Sequence, residues 1–296
     1  MKTLLLIDAN SLIHRCFHAL PPLAGPDNQP TGSLYGLSSI LIKILREQPP
    51  AEGEARQGRP DFIAAFFDRP EPTFRKEIFD GYKIHRPKAP DELVSQIVEA
   101  HKLFEAFEIK TYEVPGFEAD DLIGTAVENF KNEPDLKIII LTGDLDALQL
   151  VENNKVVVET TKKGVSETII YNEEAVKERY DGLSPVQIPD FKGLVGDPSD
   201  NILGVPGIGP KTAIHLIKKY GNLENFLENG PLEKAHQKIL QFKEQALLSK
   251  KLAVIKRDAP VVQDLRELKY KELLKESLSA YFAKLGFKTL INRINN

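Results

Sequence analysis

The chain has 296 residues, 42% hydrophobic and 28% charged, the proportions of an ordinary globular protein large enough for one sizeable domain or two smaller ones. Its single cysteine, Cys16, excludes an intrachain disulfide, no Cys/His cluster suggests zinc, and a reducing cytoplasm is the expected setting. A formal net charge of −4 argues at first sight against a nucleic-acid partner.

The apolar start of MKTLLLIDAN stops at Asp8, too soon for a signal-peptide core, and no later run approaches a membrane span. It reads instead as a buried strand, TLLLID (3–8). Similar runs follow at DFIAAFFD (61–68), EIKTYEV (108–114) and KIIILTGD (137–144), separated by segments of helical period at 32–47, 91–107 and 119–132. That alternation predicts an α/β layer with a mostly parallel sheet. KVVVET (155–160) and ETIIY (167–171), joined by TKKGVS, read as an edge hairpin. PPLAGPDNQPTG (21–32) and QPPAEGEARQGRPD (48–61) read as exposed loops. From about residue 181 strands disappear and helical patterns take over at 211–220, 222–229, 233–249 and 269–283. The expected division is an α/β core over 1–180, a helical subdomain over 181–260 and a helical tail over 261–296.

On that map acids fall at strand ends. Asp8 ends the first strand and Asp68 the second; Asp144 and Asp146 follow KIIILT. Glu118, Asp120 and Asp121 follow the third through Pro115-Gly116. A strand-terminal Asp is ordinarily a turn former or helix cap. Acids delivered by four segments to the carboxyl edge of an open sheet, where α/β sites form, exceed what capping needs. Converging carboxylates raise each other's pKa unless cations neutralise them, and oxygen donors without His or Cys favour Mg²⁺ or Mn²⁺. Asp197 and Asp200 in GDPSDN (196–201) extend the set. Residues 118 and 120 lie about 200° apart on a regular helix, so sharing an ion requires them to straddle a helix start, with Glu118 near the N-cap.

GVPGIGPKTA (204–213) is not a Walker A loop, because Pro210 separates Gly209 from Lys211-Thr212. It reads as a helix-hairpin-helix with Gly204, Gly207, Ile208 and Gly209 in the turn and Pro210 opening a helix that carries Lys211, Lys218 and Lys219. Such a turn offers backbone N–H groups and a helix N-terminus to a phosphate, without sequence specificity. Residues 69–90 interleave Arg69, Arg75, Lys76, Lys83, Arg86 and Lys88 with Phe74, Phe79 and Tyr82, a composition suited to tracking phosphates and stacking an unpaired base. The charge objection then weakens. Nine candidate metal acids carry nine negative charges, so a total of −4 leaves the remainder at +5.

LLLIDANSLIHRCFHAL, FFDRPEPTFRKEIFDGYKIHR, VPGFEADDLIGTA, TGDLDALQL and GDPSDNILGVPGIGPKTA occur in that order. Together they resemble the bacterial 5′-nuclease (5′–3′ exonuclease) family, the flap-endonuclease relatives found at the N-terminus of DNA polymerase I, over roughly residues 1 to 260. The tail, ending YFAKLGFKTLINRI, resembles the segment that joins this domain to the rest of polymerase I. The resemblance implies a PIN-like α/β core, a helical arch over the active site and an all-helical helix-hairpin-helix (H3TH) subdomain. It implies two Mg²⁺ (or Mn²⁺) ions, the first held by Asp8, Asp68, Glu118 and Asp120, the second by Asp144, Asp146 and Asp197. Asp121 and Asp200 would be nearby or water-mediated ligands. Lys83 and Arg86 would grip the scissile phosphate, Tyr82 would stack, and Arg75, Lys76 and the hairpin with Thr212 would contact DNA, with K⁺ at the helix-hairpin-helix. The implied partners are DNA with a 5′ flap, nick or 5′ end, an RNA primer strand, and a DNA polymerase in trans; the implied state is a cytoplasmic, nucleoid-associated monomer. Rival readings are a PIN-type ribonuclease and a non-catalytic DNA-structure-binding protein. A dehalogenase-type phosphatase would need Asp where Asn10 stands. One departure from the family is the 48–61 loop, which looks longer than usual.

Overall fold

Strands buried on both faces carry continuous Val, Ile and Leu rather than alternation, and here those runs form one six-stranded sheet. The computed structural model describes residues 1–45, 59–163, 167–230 and 234–295. In chain order the first elements are β1 (Lys2–Asp8), α1 (Ala9–Ala19), α2 (Gly32–Leu45), β2 (Phe62–Phe66), α3 (Phe74–Ile78) and α4 (Asp91–Ala106). Then come β3 (Lys110–Tyr112), α5 (Ala119–Phe130), β4 (Leu136–Leu141), β5 (Val156–Lys163), β6 (Glu167–Tyr171) and α6 (Glu173–Arg179). The helical part holds α7 (Ile188–Val195), α8 (Pro210–Tyr220), α9 (Leu223–Asn229), α10 (Lys234–Gln241) and α11 (Lys243–Ala253). The tail holds α12 (Lys275–Lys284) and α13 (Lys288–Asn295).

The sheet order is β3-β2-β1-β4-β5-β6, parallel throughout except for the β5–β6 pair. Leu6 of β1 sits between Ala64 and Ile140 in register. Strand order reverses at β1, so the crevice beside its carboxyl end is the switch point at which doubly wound sheets form sites. β5 is not an edge: Val156, Val157 and Val158 are buried and pair with β4, leaving β6 as the outer strand of the expected hairpin. Residues 48–58 of the long loop and 164–166 of the hairpin connection lie outside the described residues.

Alternate residues of β1 feed two cores. Leu5 and Ile7 face α1, α2 and α4, while Leu4 and Leu6 face α5. Leu278, Phe282 and Leu290 of α12 and α13 join the first core, so the tail helices cover the same sheet face as α1, α2 and α4. A third core, including Leu183, Ala213, Leu216, Ile217 and Phe226, belongs to the helical part. The single helix expected over 233–249 is two, α10 and α11, interrupted at Phe242 (φ −110°). The connection over 69–90 is less helical than the expected arch: α3 has five residues, and consecutive turns follow it. No helix among the described residues is long and apolar enough to cross a membrane.

Candidate active site

The acids arrive at the crevice on rigid elements. Asp8 terminates β1 and caps α1, accepting from Ser11 N at 3.0 Å and from Thr142 Oγ1 at 2.7 Å. Asp68 follows β2; its Oδ1 accepts from Ala119 N at 2.7 Å, the first N–H of α5, so it latches the second acid-bearing turn to the first. Asp144 follows β4 and caps the 3₁₀ turn over 145–150 by accepting from Asp146 N at 2.9 Å. Glu118 is the N-cap of α5 with extended backbone (φ −92°, ψ 160°), and Asp120 lies in the first turn. They straddle the helix start as their spacing requires, and both face one cleft. That cleft, ≈ 220 Å³, is bordered by Asp8, Asp68, Glu118, Asp120, Asp144, Asp146 and Asp200, with Lys83 and Arg86 on its wall.

Burial sets its electrostatics. Burial, then the charge of Asp68, pushes the Asp8 carboxyl up to about 7. Desolvation by the surrounding protein also raises Asp68, although part of that residue still reaches solvent, and burial raises Asp120 far above the ordinary carboxylate range against the pull of Arg75. Burial and then Asp144 push Asp146 up to about 6. Four cations, Lys83, Arg86, Lys192 and Arg75, offset the rest. Lys83 Nζ is 2.6 Å from Glu118 Oε2 and 4.0 Å from Asp200 Oδ2. Arg86 is 2.6 Å from Asp200 Oδ1. Lys192 of α7 bonds Asp146 and stands 2.6 Å from Asp197 Oδ2. Burial works to raise Glu118, but Lys83 and Arg75 outweigh it and leave its carboxyl below the ordinary value.

A divalent cation fits this donor set. Asp120 Oδ1 is buried without a hydrogen-bond partner, and the buried Asp8 carboxyl feels the charge of Asp68, with no ion pair to either acid among the described residues. Each is a group that a hard cation would satisfy. With the ammonium groups of Lys83 and Lys192 bonded into the cluster, no three carboxylates among the described residues converge tightly enough to chelate an ion without side-chain movement.

Residues 3–181 match the model of the 5′–3′ exonuclease N-terminal resolvase-like domain, and residues 183–276 that of the 5′–3′ exonuclease C-terminal SAM fold. The chain belongs to the 5′–3′ exonuclease family. The likeness thus runs past residue 260. Bacillus subtilis DNA polymerase I is 40% identical over 99% of the chain, which spans only 32% of that polymerase. An Aquifex aeolicus 5′–3′ exonuclease is 35% identical over 100% of the chain and 96% of its own length. Among solved structures, bacteriophage T5 5′-exonuclease with bound zinc superposes with a TM-score of 0.64 at 22% identity, covering 85% of this chain and 89% of its own. A T5 flap endonuclease complexed with DNA and metal ions gives 0.64 at 20% identity, covering 99% of both chains. These two establish likeness of fold.

Within the family frame several expected residues have other places. Asp121 leaves the ligand set: it is fully buried, Arg75 forks onto both its oxygens (2.7 and 2.8 Å), and the N–H groups of Glu118 and Lys256 donate to it at 3.1 and 2.8 Å. Arg75 accordingly leaves the DNA contacts, since its guanidinium is spent inside. Tyr82 is 5% exposed, its hydroxyl 3.2 Å from Glu118 Oε2 and 3.1 Å from Asp200 Oδ2, so its ring offers no open stacking face. Lys76 Nζ is bonded to Asp80 O behind the turn. In the hairpin, Ile208 is buried in the third core with its N–H donating to Val205 O at 3.0 Å, and Gly204 N donates to Ser249 Oγ at 3.1 Å. Gly207, Gly209 and Lys211 are exposed and Thr212 half-exposed. Gly209 caps α8 without a side-chain bond, which leaves the first N–H groups facing out. The site residue that sequence reasoning missed is Lys192. Its only signal is its place five residues before Asp197, on the segment leading into GDPSDN.

Proposed function

We propose that this chain is a divalent-metal-dependent 5′-nuclease that hydrolyses phosphodiester bonds near DNA 5′ ends, exonucleolytically and at flaps. The observation that carries it is the convergence of acids from the ends of β1, β2 and β4 and the start of α5 in one cleft walled by Lys83 and Arg86. When bound, Mg²⁺ or Mn²⁺ at Asp8, Asp68, Glu118 and Asp120 and at Asp144, Asp146 and Asp197 supplies an activated water and neutralises charge at the phosphate. The chain's own residues do the rest. Lys83 and Arg86 place positive charge where the phosphate enters. Their backbone is held in place: Lys83 N donates to Asp200 O at 3.0 Å, and Asn201 Nδ2 to Gly81 O at 2.8 Å, docking the 69–90 connection on the helical part. Gly207, Gly209 and the free N–H groups opening α8 present a sequence-neutral phosphate seat, at which K⁺ is the cation we assign.

The same reading supplies the partners: DNA with a 5′ flap, nick or end, an RNA primer strand at that end, and a polymerase acting in trans on a monomeric nuclease at the cytoplasmic nucleoid. A PIN-type ribonuclease would share the acidic sheet edge; residues 183–276, which match the exonuclease SAM fold, favour the DNA reading. Purified protein with Mg²⁺ or Mn²⁺ should cut 5′-flapped and nicked duplexes, and sized products will divide flap from exonucleolytic cutting; an intact substrate refutes the proposal. Asp68→Ala and Asp144→Ala should keep duplex binding and lose cleavage, and full cleavage in both refutes the metal assignment.

A further inference from the structure

The chain leaves α11 through residues 252–256, which pass along the acid cleft and contribute Leu252 and Ala253 to its wall. Two buried polar side chains from opposite sides hold the backbone of this segment. Arg75, 1% exposed, donates from Nε to Leu252 O and from Nη2 to Val254 O, both at 3.0 Å. Gln149, 3% exposed, donates from Nε2 to Ala253 O and accepts at Oε1 from Ile255 N, both at 3.0 Å. Successive residues are thus claimed by alternate sides.

Each side chain is also tied to a different half of the acid cluster. Arg75 forks onto Asp121, which in turn accepts from the N–H of Glu118 and fixes the start of α5 where Glu118 and Asp120 project. Gln149 Nε2 is also 3.1 Å from Asp146 O, in the turn that carries Asp144 and Asp146. Apolar packing would bury this segment as well, and a buried guanidinium–carboxylate pair adds little net stability over it. What the polar groups add is direction: several backbone partners at fixed angles, shared by the two acid-bearing turns.

We propose that residues 252–256 form the reference bar of the acid cluster, with Arg75 and Gln149 as positioning residues that set the Glu118–Asp120 turn and the Asp144–Asp146 turn against it. The inference rests on reading the cleft as a divalent-cation site. Groups that orient metal ligands typically cost 10–100-fold in metal affinity when removed. Gln149→Leu keeps the volume and removes the amide bonds to Ala253, Ile255 and Asp146. Calorimetric titration with Mn²⁺ in the absence of DNA should show affinity weakened about tenfold. In EDTA it should still unfold in one cooperative transition, at a lower temperature because Ala253 O and Ile255 N lose their partners, while its affinity for flapped duplex in EDTA should stay close to wild type. A folded variant that takes Mn²⁺ as tightly as wild type overturns the proposal. Should Gln149→Leu not fold, Arg75→Lys serves: it keeps a charge beside Asp121 and loses the fork and the bonds to Leu252 and Val254, and it should weaken Mn²⁺ binding by a similar factor. Wild-type protein that binds Mn²⁺ but leaves flapped DNA intact retires the nuclease reading alone, because the titration still decides this one. Wild-type protein that takes up no Mn²⁺ retires the positioning role.

Discussion

Lys192→Met tests whether a side-chain ammonium holds a cation's place in the cleft. Lys192 is 9% exposed and bonds both Asp146 and Asp197. Methionine keeps most of the stem and leaves those two carboxylates facing each other without a counter-charge. Breaking a buried pair by removing one partner costs about 3–5 kcal/mol. The side chains of Asp146 and Asp197 are 21% and 17% exposed, and Asp146, already pushed up to about 6, can take a proton. The low end, about 3 kcal/mol, is therefore expected. For a chain of this size each kcal/mol moves the melting temperature by roughly 2 °C, so the variant should melt roughly 6 °C below wild type in EDTA at pH 8. Mn²⁺ returns positive charge to the same acids, and at saturation the deficit closes by RT ln of the two Kd values' ratio, about 2.7 kcal/mol if the variant, freed of the competing ammonium, binds Mn²⁺ about a hundredfold more tightly than wild type. Scanning calorimetry should show the variant gaining more from Mn²⁺ than wild type, with most of the deficit closed. Equal melting temperatures in EDTA, or a deficit unchanged at saturating Mn²⁺, refute the reasoning.

Asp8→Asn should stabilise the metal-free protein at alkaline pH. The folded state holds the Asp8 proton up to about 7 against an ordinary 3.8, so its contribution is present below about pH 4 and lost as pH rises through 7. The neutral variant should exceed wild type by up to about 4 kcal/mol at pH 8 and converge with it near pH 4 in urea melts; an equal gap at both pH values rejects the shift. Gly204→Ala should lose about 2 kcal/mol or more together with duplex affinity in EDTA, because φ is +61° and a Cβ would stand 2.3 Å from Gly196 N and 2.5 Å from Val195 C, backbone that cannot swing aside. Unchanged denaturant midpoints would show that the turn relaxes. Cys16, fully buried, has its thiol pushed up to about 12 by burial, against a smaller opposing effect of Arg15. It should resist iodoacetamide in native protein at pH 8 and give one alkylated thiol per chain after denaturation; rapid native labelling would show the α1–α2 packing to be open.

The centre of the sheet was legible because β1, β2 and β4 are buried on both faces: LLLI and KIII carry no alternation to confuse with a helix, and the Asp that follows each run marks the carboxyl edge. The Glu118–Asp120 spacing likewise demanded a helix start, and Ala119 begins α5. α1 was not legible as a helix, because ANSLIHRCFHA lacks first-turn acids and is capped by Asp8, a residue read as a ligand. The 233–249 pattern ran through the break at Phe242, since the apolar period continues across it while the backbone does not.

The buried cations were hidden for a deeper reason. In FRKEIF nothing distinguishes Arg75, spent on Asp121, from Lys76 beside it, because periodicity reports apolar faces and is blind to a charge buried by its partner. The charge accounting shows what this alters. A remainder of +5 outside the nine acids suggested a positive body that would attract DNA from a distance. Four of those charges, Arg75, Lys83, Arg86 and Lys192, lie among the acids. The acid cluster with its internal cations is therefore formally −5 and everything else only +1. A field that weak cannot steer a duplex beyond a Debye length. On the proposed reading, attraction would come from local groupings, Lys211, Lys218 and Lys219 around the hairpin, while the formal −5 of the acid cluster would repel phosphate until divalent cations enter. If the proposed nuclease reading holds, the metal-free protein should hold DNA by its helical part, and the cleft should accept a phosphate only once its own acids are neutralised.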